Sequence, residues 1–348
     1  MPTPDFMARA YQLARQHHTH PNPRVGAVVV SPSGDVLGEG AHEGPGHPHA
    51  EIVALDRAGD ASGSTVYVSL EPCSHQGRTP PCVDRLVADG VARVVVGVID
   101  PDPNVSGSGV KALRAAGIEV DVVDDQRARD IDEAYFHHRE TGMPLVTIKW
   151  AMTLDGSVAA ADGTSQWITS KTSRIHVHEL RSQVDAVVVG AGTLRADNPQ
   201  LDVRNEGYTG RQPRPVVVVG KGDLPTDARL WRHNPVVVST LERQIPAGEL
   251  VRVEGLEGYP DPVDTCLHLA GMGLLHLLVE GGPTLAGAWW RAGVIDRGLV
   301  YIGSKIGGGS GRSPMAGIFS TISSADEVEF DTVRNVSGDV LIVFKKKP

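Results

Sequence analysis

His49-Ala50-Glu51 and Glu71-Pro72-Cys73-Ser74-His75-Gln76-Gly77-Arg78-Thr79-Pro80-Pro81-Cys82 are the stretches on which the reading of this chain turns. The first opens a helix running from about His49 to Ala58, and the second follows a strand at Thr65–Leu70. Imidazole and thiolate are borderline-soft ligands that suit Zn²⁺, and three protein ligands (His49, Cys73 and Cys82) leave a fourth tetrahedral position for water. A water held this way ionises near neutral pH and attacks an amidine-like ring carbon. Glu51, two residues from the histidine, is placed to carry a proton from water to ring nitrogen and leaving ammonia without binding the metal. Thr79-Pro80-Pro81 reads as an N-cap with proline at the first helical position, which sets Cys82 at the positive end of a helix and favours its thiolate. Any one of these residues alone reads more simply as core. All four in this order point to a catalytic metal, since a structural site does not need Glu51.

Working outward, residues 5–17 have helical spacing, and Val25–Val30 with Val36–Gly40 form a hairpin around Ser31-Pro32-Ser33-Gly34-Asp35. Strand and helix signals then alternate through Pro81–Asp89, Arg93–Ile99, Gly107–Ala116 and Ile118–Val123. One hairpin followed by such alternation predicts an α/β fold whose mixed sheet carries helices on both faces. Asp124–Glu140 is polar and helical, and Thr141-Gly142-Met143-Pro144 stops it, so a domain boundary is expected between 143 and 144. A second α/β unit opens at Leu145–Ala151. Its strong strands are Ala186–Gly190, Pro215–Gly220, Leu275–Glu280 and Gly298–Ile302, and its helices Lys171–Gln183, Pro262–Gly271 and Pro283–Ala292.

Composition agrees with two domains: 348 residues, 41% hydrophobic, about twice a typical single domain. A formal charge of −9 argues against nucleic-acid or anionic-membrane partners, and so against a base deaminase acting on RNA. No apolar run reaches the ~20 residues of a membrane span, and the first residues do not read as a signal peptide. Three cysteines make no disulfide framework, and a cytoplasmic location is the simplest expectation.

In the second half, Glu280-Gly281-Gly282-Pro283-Thr284 takes an apolar strand directly into a helix, where glycines and free amides favour an anion. Gly190-Ala191-Gly192-Thr193 is a weaker version, and Gly307-Gly308-Gly309-Ser310-Gly311 reads as a surface loop.

The histidine–glutamate and cysteine pattern matches the logic of zinc nucleobase deaminases, with eight residues between the cysteines in place of two. Together with Pro21-Asn22-Pro23-Arg24-Val25-Gly26, Asp100-Pro101-Asp102-Pro103, Leu154-Asp155-Gly156, Ser165-Gln166-Trp167-Ile168-Thr169 and Arg195-Ala196-Asp197-Asn198-Pro199, it resembles the bifunctional deaminase/reductase family of riboflavin biosynthesis over nearly the whole chain. The resemblance implies a cytidine-deaminase-like first domain and a dihydrofolate-reductase-like second one. The first would remove the 2-amino group of a diamino-ribosylamino-pyrimidinone 5′-phosphate. The second would reduce the ribosyl chain to ribityl with NADPH. It places Asn22, His42, His75 and Arg78 at the deaminase substrate. NADPH is expected at Ala151, Trp167, Thr193, Asp197, Gly282, Pro283, Thr284, Leu285, Ala286, Gly287 and Ala288. The reductase substrate is expected at Lys149, Ser165, Thr169, Arg181, Leu201, Arg204 and Glu280, with Asp197 helping to move a proton. A homodimer is a further family expectation. Gly220-Lys221-Gly222 departs from the Asp-Ser pair of many relatives and puts a side-chain contact from that turn to the cofactor in doubt.

Overall fold

The computed structural model describes residues 5–75, 80–309, 311–317 and 321–347. It divides into two compact units, Met1–Gly142 and Met143–Pro348.

The first unit runs α1 (Phe6–Ala14), β1 (Gly26–Val30), β2 (Val36–Ala41), α2 (Ala50–Ala58), β3 (Thr65–Val68), α3 (Cys82–Ala88), β4 (Arg93–Val96), α4 (Ser108–Ala115), β5 (Glu119–Val122), α5 (Gln126–Arg129) and α6 (Glu133–Thr141). Its five strands lie in the order β2-β1-β3-β4-β5. β1 is antiparallel to both neighbours, while β3, β4 and β5 are parallel, which is the mixed sheet expected. All five residues of β1 are buried, as a strand covered on both faces requires.

Glycines decide how closely the helices approach. Gly26 pairs with Ala41 and Gly40 with Ala27, so Gly26 and Gly40 face opposite sides of the sheet. A Cβ on Gly26 would lie 2.2 Å from the Ala10 carbonyl of α1. On the other face, Cβ atoms on Gly38 and Gly40 would lie 2.2 Å from the carbonyls of Ala54 and Ala50 of α2. The small side chains Ala50, Ala54 and Ala58 recur every four residues along α2, so its backbone can sit almost on the strand. The first turn of α2, with His49 at its N-cap and Glu51 inside it, is thereby fixed against β2.

The second unit runs β6 (Leu145–Thr153), α7 (Lys171–Gln183), β7 (Ala186–Gly190), α8 (Ala191–Asp197), β8 (Arg214–Val219), β9 (Val236–Ser239), β10 (Glu249–Arg252), the paired β11 (Gly255–Leu256) and β12 (Tyr259–Pro260), α9 (Pro262–Gly271), β13 (His276–Val279), α10 (Pro283–Arg291), β14 (Arg297–Gly303), β15 (Val328–Val336) and β16 (Asp339–Lys346). Nine strands form one sheet in the order β10-β9-β8-β7-β13-β6-β14-β16-β15, parallel from β10 to β14, with β16 and β15 antiparallel at one edge. The valine runs of β7 and β8 are buried on both faces, and the core lies around them. β10 is short and partly exposed and β15 is mostly exposed, so their sequences carry little of the apolar signal that marks a central strand; β9 is fully buried but only four residues long. α7 is started firmly: Ser170 caps it, and Asp339 accepts hydrogen bonds from the Ser170 N–H at 2.7 Å and the Ser173 hydroxyl at 2.6 Å. Among the described residues no helix is long and apolar enough to cross a membrane.

Because Gly40 faces backbone, adding one methyl there forces a shift that overpacked interiors resist by about 1–3 kcal/mol. Gly40→Ala should therefore lower the urea midpoint of the chain. Gly271→Ala, with open space around it, should leave the midpoint nearly unchanged. Equal midpoints for the two variants would refute the close approach.

Candidate active sites of the two units

In the first unit His49, Cys73 and Cys82 bring one ligand atom each to within 4.8 Å of one another. His49 Nδ1 lies 3.1 Å from Cys82 Sγ and 3.5 Å from Cys73 Sγ. α3 starts at Cys82 itself with Pro81 as N-cap, so the cysteine occupies the first helical position, one residue later than proline was expected to start it. The backbone N–H of Cys82 points at Cys73 Sγ, 3.4 Å away. Hydrogen bonds from the Cys82 thiol and from His49 hold Cys73 well below the ordinary thiol range, against the upward push of burial. Two sulfurs and one imidazole at this spacing fit a tetrahedral zinc with one open position. Glu51 lies outside the ligand set, 3% exposed, and burial raises its carboxyl above the ordinary range. Cys266, the third cysteine, is buried in the core of the second unit.

A second layer holds the ligands. His42 is buried, its ring packed edge-on against His49 with centroids 5.3 Å apart. Its Nδ1 lies 2.9 Å from the carbonyl of Pro48, the residue before His49, and its Nε2 lies 2.9 Å from Asn22 Nδ2. Burial lowers its pKa, so the ring is neutral: Nδ1–H donates to Pro48 and Nε2 accepts from Asn22. The Asn22 amide oxygen remains as an acceptor. Glu71, to which sequence reasoning gave no role, is buried and accepts backbone N–H groups of Gly107, Val110 and Asp100 at 2.8, 3.0 and 3.3 Å. A Cβ on Gly109 would lie 2.0 Å from the Pro72 carbonyl. The start of α4 is thus locked against the turn that presents Cys73. His75 is exposed on the same turn, and Arg78 lies outside the described residues.

In the second unit the carboxyl ends of the parallel strands β6, β7 and β13 open onto a cavity of about 520 Å³, the usual place for a ligand in such sheets. Ala151, Trp167, Thr193, Asp197, Gly282, Pro283, Thr284 and Leu285 all line it, as do Lys149, Ser165, Thr169 and Glu280. Gly282 is the N-cap of α10 and Pro283 its first residue, so the amide-rich end of a nine-residue helix meets the cavity. Trp167 is 57% exposed, an open aromatic surface rather than core. Asp197 sits at the rim, its carboxyl raised by partial burial. The expected contacts end one turn into α10: Ala286 is buried in the core, Ala288 packs against it, and Gly287 faces the Ala316 backbone, where a Cβ would meet its carbonyl at 2.3 Å. In the glycine-rich stretch near 307, the amides of Gly307 and Gly308 are already used, donating to Asp155 at 3.0 Å and 2.7 Å.

A neighbouring cavity of about 390 Å³ shares Lys149, Ala151, Trp167, Thr169, Arg174 and Glu280 with the first and adds Lys171, Arg181 and Arg204. The Glu280 side chain is largely buried, 9% exposed. Burial pushes it up, but Arg181 and Lys149 overcome burial and hold it at about 2. Arg181 donates from Nε to Glu280 Oε1 at 2.7 Å and from Nη2 to Oε2 at 3.2 Å; Lys149 Nζ approaches Oε2 at 3.4 Å. Arg181 also donates to the Asp202 carbonyl at 2.9 Å, so its guanidinium is committed to the protein and not to a phosphate. Leu201 is likewise not brought to the cavity wall; it is 2% exposed in the core at φ +61°. Sequence reasoning missed Lys171, Arg174 and His178. Their signal was present, because 171, 174, 178 and 181 fall on one face of α7. Arg174 lies over the Trp167 ring at 4.3 Å and donates to the Thr169 carbonyl at 2.7 Å.

Comparison with known proteins places both sites in a family context. The model of the RibD C-terminal domain matches residues 144–342, and that of the cytidine and deoxycytidylate deaminase zinc-binding region matches 3–98. The riboflavin biosynthesis protein RibD of Aquifex aeolicus is 42% identical over 98% of both chains, and that of Escherichia coli 38% over 97% of both. Among solved structures, Acinetobacter baumannii RibD superposes with a TM-score of 0.90 at 33% identity, covering 98% of each chain. A diaminohydroxyphosphoribosylaminopyrimidine deaminase/5-amino-6-(5-phosphoribosylamino)uracil reductase from Thermotoga maritima gives 0.88 at 34%, again over 98% of each.

Glu280 is held at about 2 when folded, below its unfolded value of about 4.3. Its contribution to stability is therefore full above that value and lost as pH falls toward 2. Arg181→Met leaves the carboxylate with Lys149 alone, and breaking a buried pair costs about 3–5 kcal/mol. Urea titrations should show that loss at pH 7 and a smaller one at pH 3. A difference between parent and variant that does not shrink on acidification would rule out the ion pair as its source.

Proposed function

From the premise that this chain belongs to the RibD family, the bifunctional deaminase–reductases of riboflavin biosynthesis, we propose that it acts on a diaminohydroxyphosphoribosylaminopyrimidine and then on 5-amino-6-(5-phosphoribosylamino)uracil, the two activities named for its Thermotoga relative. The first is hydrolytic loss of the 2-amino group, and the second is reduction of the ribosyl chain to ribityl. The observation that carries the reading is the His49–Cys73–Cys82 cluster with Glu51 beside it but outside the ligand set.

Zinc, bound by these three ligands, supplies Lewis-acid activation of water. Glu51 takes the proton from that water as it attacks the amidine carbon and delivers protons to the ring nitrogen and the departing ammonia. The Asn22 oxygen, turned outward by His42, accepts from the substrate's N–H edge, and His75 and Arg78 come from the cysteine turn. In the second unit NADPH supplies hydride when bound. It would be held by Ala151, Trp167, Thr193 and Asp197 and by the Gly282–Leu285 turn, whose amides suit a phosphate. Lys149, Ser165 and Thr169 border the ribosyl chain, with Glu280 fixed by Arg181. Lys171, Arg174 and Arg204 suit the 5′-phosphate. We place the enzyme in the cytoplasm as a homodimer; sedimentation checks the second point.

Glu51→Gln should retain zinc while ammonia release falls at least about 10²-fold, the usual weight of a general base. NADPH oxidation by the variant should then require that the deaminated uracil be supplied directly. Undiminished ammonia release would falsify the proton shuttle. Ammonia without any NADPH oxidation from the parent would overturn the reductase assignment.

A further inference from the structure

Tyr301 on β14 is 1% exposed, pairs across the sheet with Ala151 on β6, and borders the smaller cavity with Lys149, Arg181 and Glu280. Its hydroxyl lies 2.6 Å from His176 Nδ1 on α7, and Arg334 Nη2 on β15 lies 3.1 Å from His176 Nε2. These two distances determine where the phenol proton goes. A guanidinium only donates, so Nε2 must accept and carries no proton. Burial, and then Arg334, disfavour a charged imidazole. The neutral ring therefore holds its proton on Nδ1 and donates it to Tyr301 Oη.

Tyr301 is an acceptor toward His176, and its own O–H has to point elsewhere. Buried donors are almost always paired. Among the described residues Tyr301 Oη has no hydrogen-bond partner besides His176, and it borders the cavity. Burial and the nearby Glu280 keep the phenol protonated far above its ordinary range.

We propose that Tyr301 is the proton donor to the ribosyl ring oxygen during reduction, its direction of donation set by the His176–Arg334 pair. The inference rests on the reductase reading above. Converting ribosyl to ribityl forms one C1′–H bond from the hydride, breaks C1′–O4′ with its electron pair passing to O4′, and forms O4′–H from a proton. Tyr301 gives that proton, the phenolate is held by the His176 Nδ1–H, and solvent restores the phenol. Asp197 lines only the larger cavity and is less well placed for the step. Tyr301 is thus the catalytic residue, and His176 and Arg334 are positioning residues.

The test uses the full chain with 5-amino-6-(5-phosphoribosylamino)uracil and NADPH. Tyr301→Phe should lower kcat for NADPH oxidation at least about 50-fold with KM within about threefold, while ammonia release stays at the parental value and the chain stays folded at the assay temperature. Arg334→Met should cost about tenfold in kcat and Arg334→Lys, which still donates, about twofold or less. In ¹⁵N-histidine spectra His176 should carry its proton on Nδ1 in the parent and on Nε2 in Arg334→Met, a readout independent of turnover. A Tyr301→Phe kcat within twofold of parental, or a change confined to KM, overturns the proposal. So does an Nε2-protonated His176 in the parent. Should the parent itself fail to oxidise NADPH with this substrate, the reductase reading falls, and the proposal falls with it.

Discussion

The deaminase chemistry of the first unit depends on how near α2 can come to β2. Gly38 and Gly40 put no side chain between them, and the alanines of α2 add almost none. This closeness sets the height of the α2 N-terminus above the sheet, and with it the positions of His49 and Glu51. The cysteines must meet that histidine from another direction. The turn after β3 is tied down by Glu71, whose carboxylate satisfies two backbone donors at the start of α4 and one at Asp100. Two rigid supports, one glycine-to-backbone and one carboxylate-to-backbone, therefore converge on a cluster only 4.8 Å across. Neither involves the metal, so the ligand set is preorganised by the protein.

The second unit meets a similar demand with charge. Glu280 leaves the end of β13 into a largely buried position where an isolated carboxylate would be costly. Arg181 from α7 and Lys149 from β6 neutralise it, which pins the helix and the two strands that bound the ligand cavities. Asp339 adds a second tie by capping the start of α7. The arginine that looked ready for a phosphate is in this way consumed by the scaffold. The cations left to suit a phosphate are Lys171, Arg174 and Arg204 on the wall of the smaller cavity, Arg174 held by the Thr169 carbonyl and Arg204 by Asp202.

Much of this was legible before any coordinates. Chemistry-bearing residues announce themselves when their types are rare and their order is constrained, as with His49, Glu51, Cys73 and Cys82. Strands announce themselves when both faces are buried, as β7 and β8 do. Edge strands such as β15 do not, because a solvent-facing ladder needs few apolar residues. Supporting contacts are equally silent: nothing about Glu71 as a letter distinguishes a surface acid from one that accepts three amides. Proximity in sequence also misled where a helix turns inward, so Ala286, Gly287 and Ala288 follow a ligand-facing turn yet belong to the core. The basic face of α7 is a different case, since its spacing was readable and required only that four positions be placed on one wheel.

Both sites also share a logic of hydrogen-bond direction that no motif records. A neutral imidazole donates on one nitrogen and accepts on the other, and an unambiguous partner decides which. At His42 the partner is the Pro48 carbonyl, which can only accept, so the far nitrogen accepts from Asn22 and the amide oxygen is left facing outward. At His176 the partner is Arg334, which can only donate, so the far nitrogen donates to Tyr301 and the phenol proton is left facing outward. The same ring, read from opposite ends, thus produces an acceptor in one unit and a donor in the other. The polarity suits each reaction. A pyrimidine edge rich in N–H groups calls for an acceptor, and a sugar oxygen gaining an electron pair calls for a proton. In each case the group that fixes the polarity is itself fixed by charge or by backbone, so the sense of the hydrogen bond does not depend on the ligand that uses it.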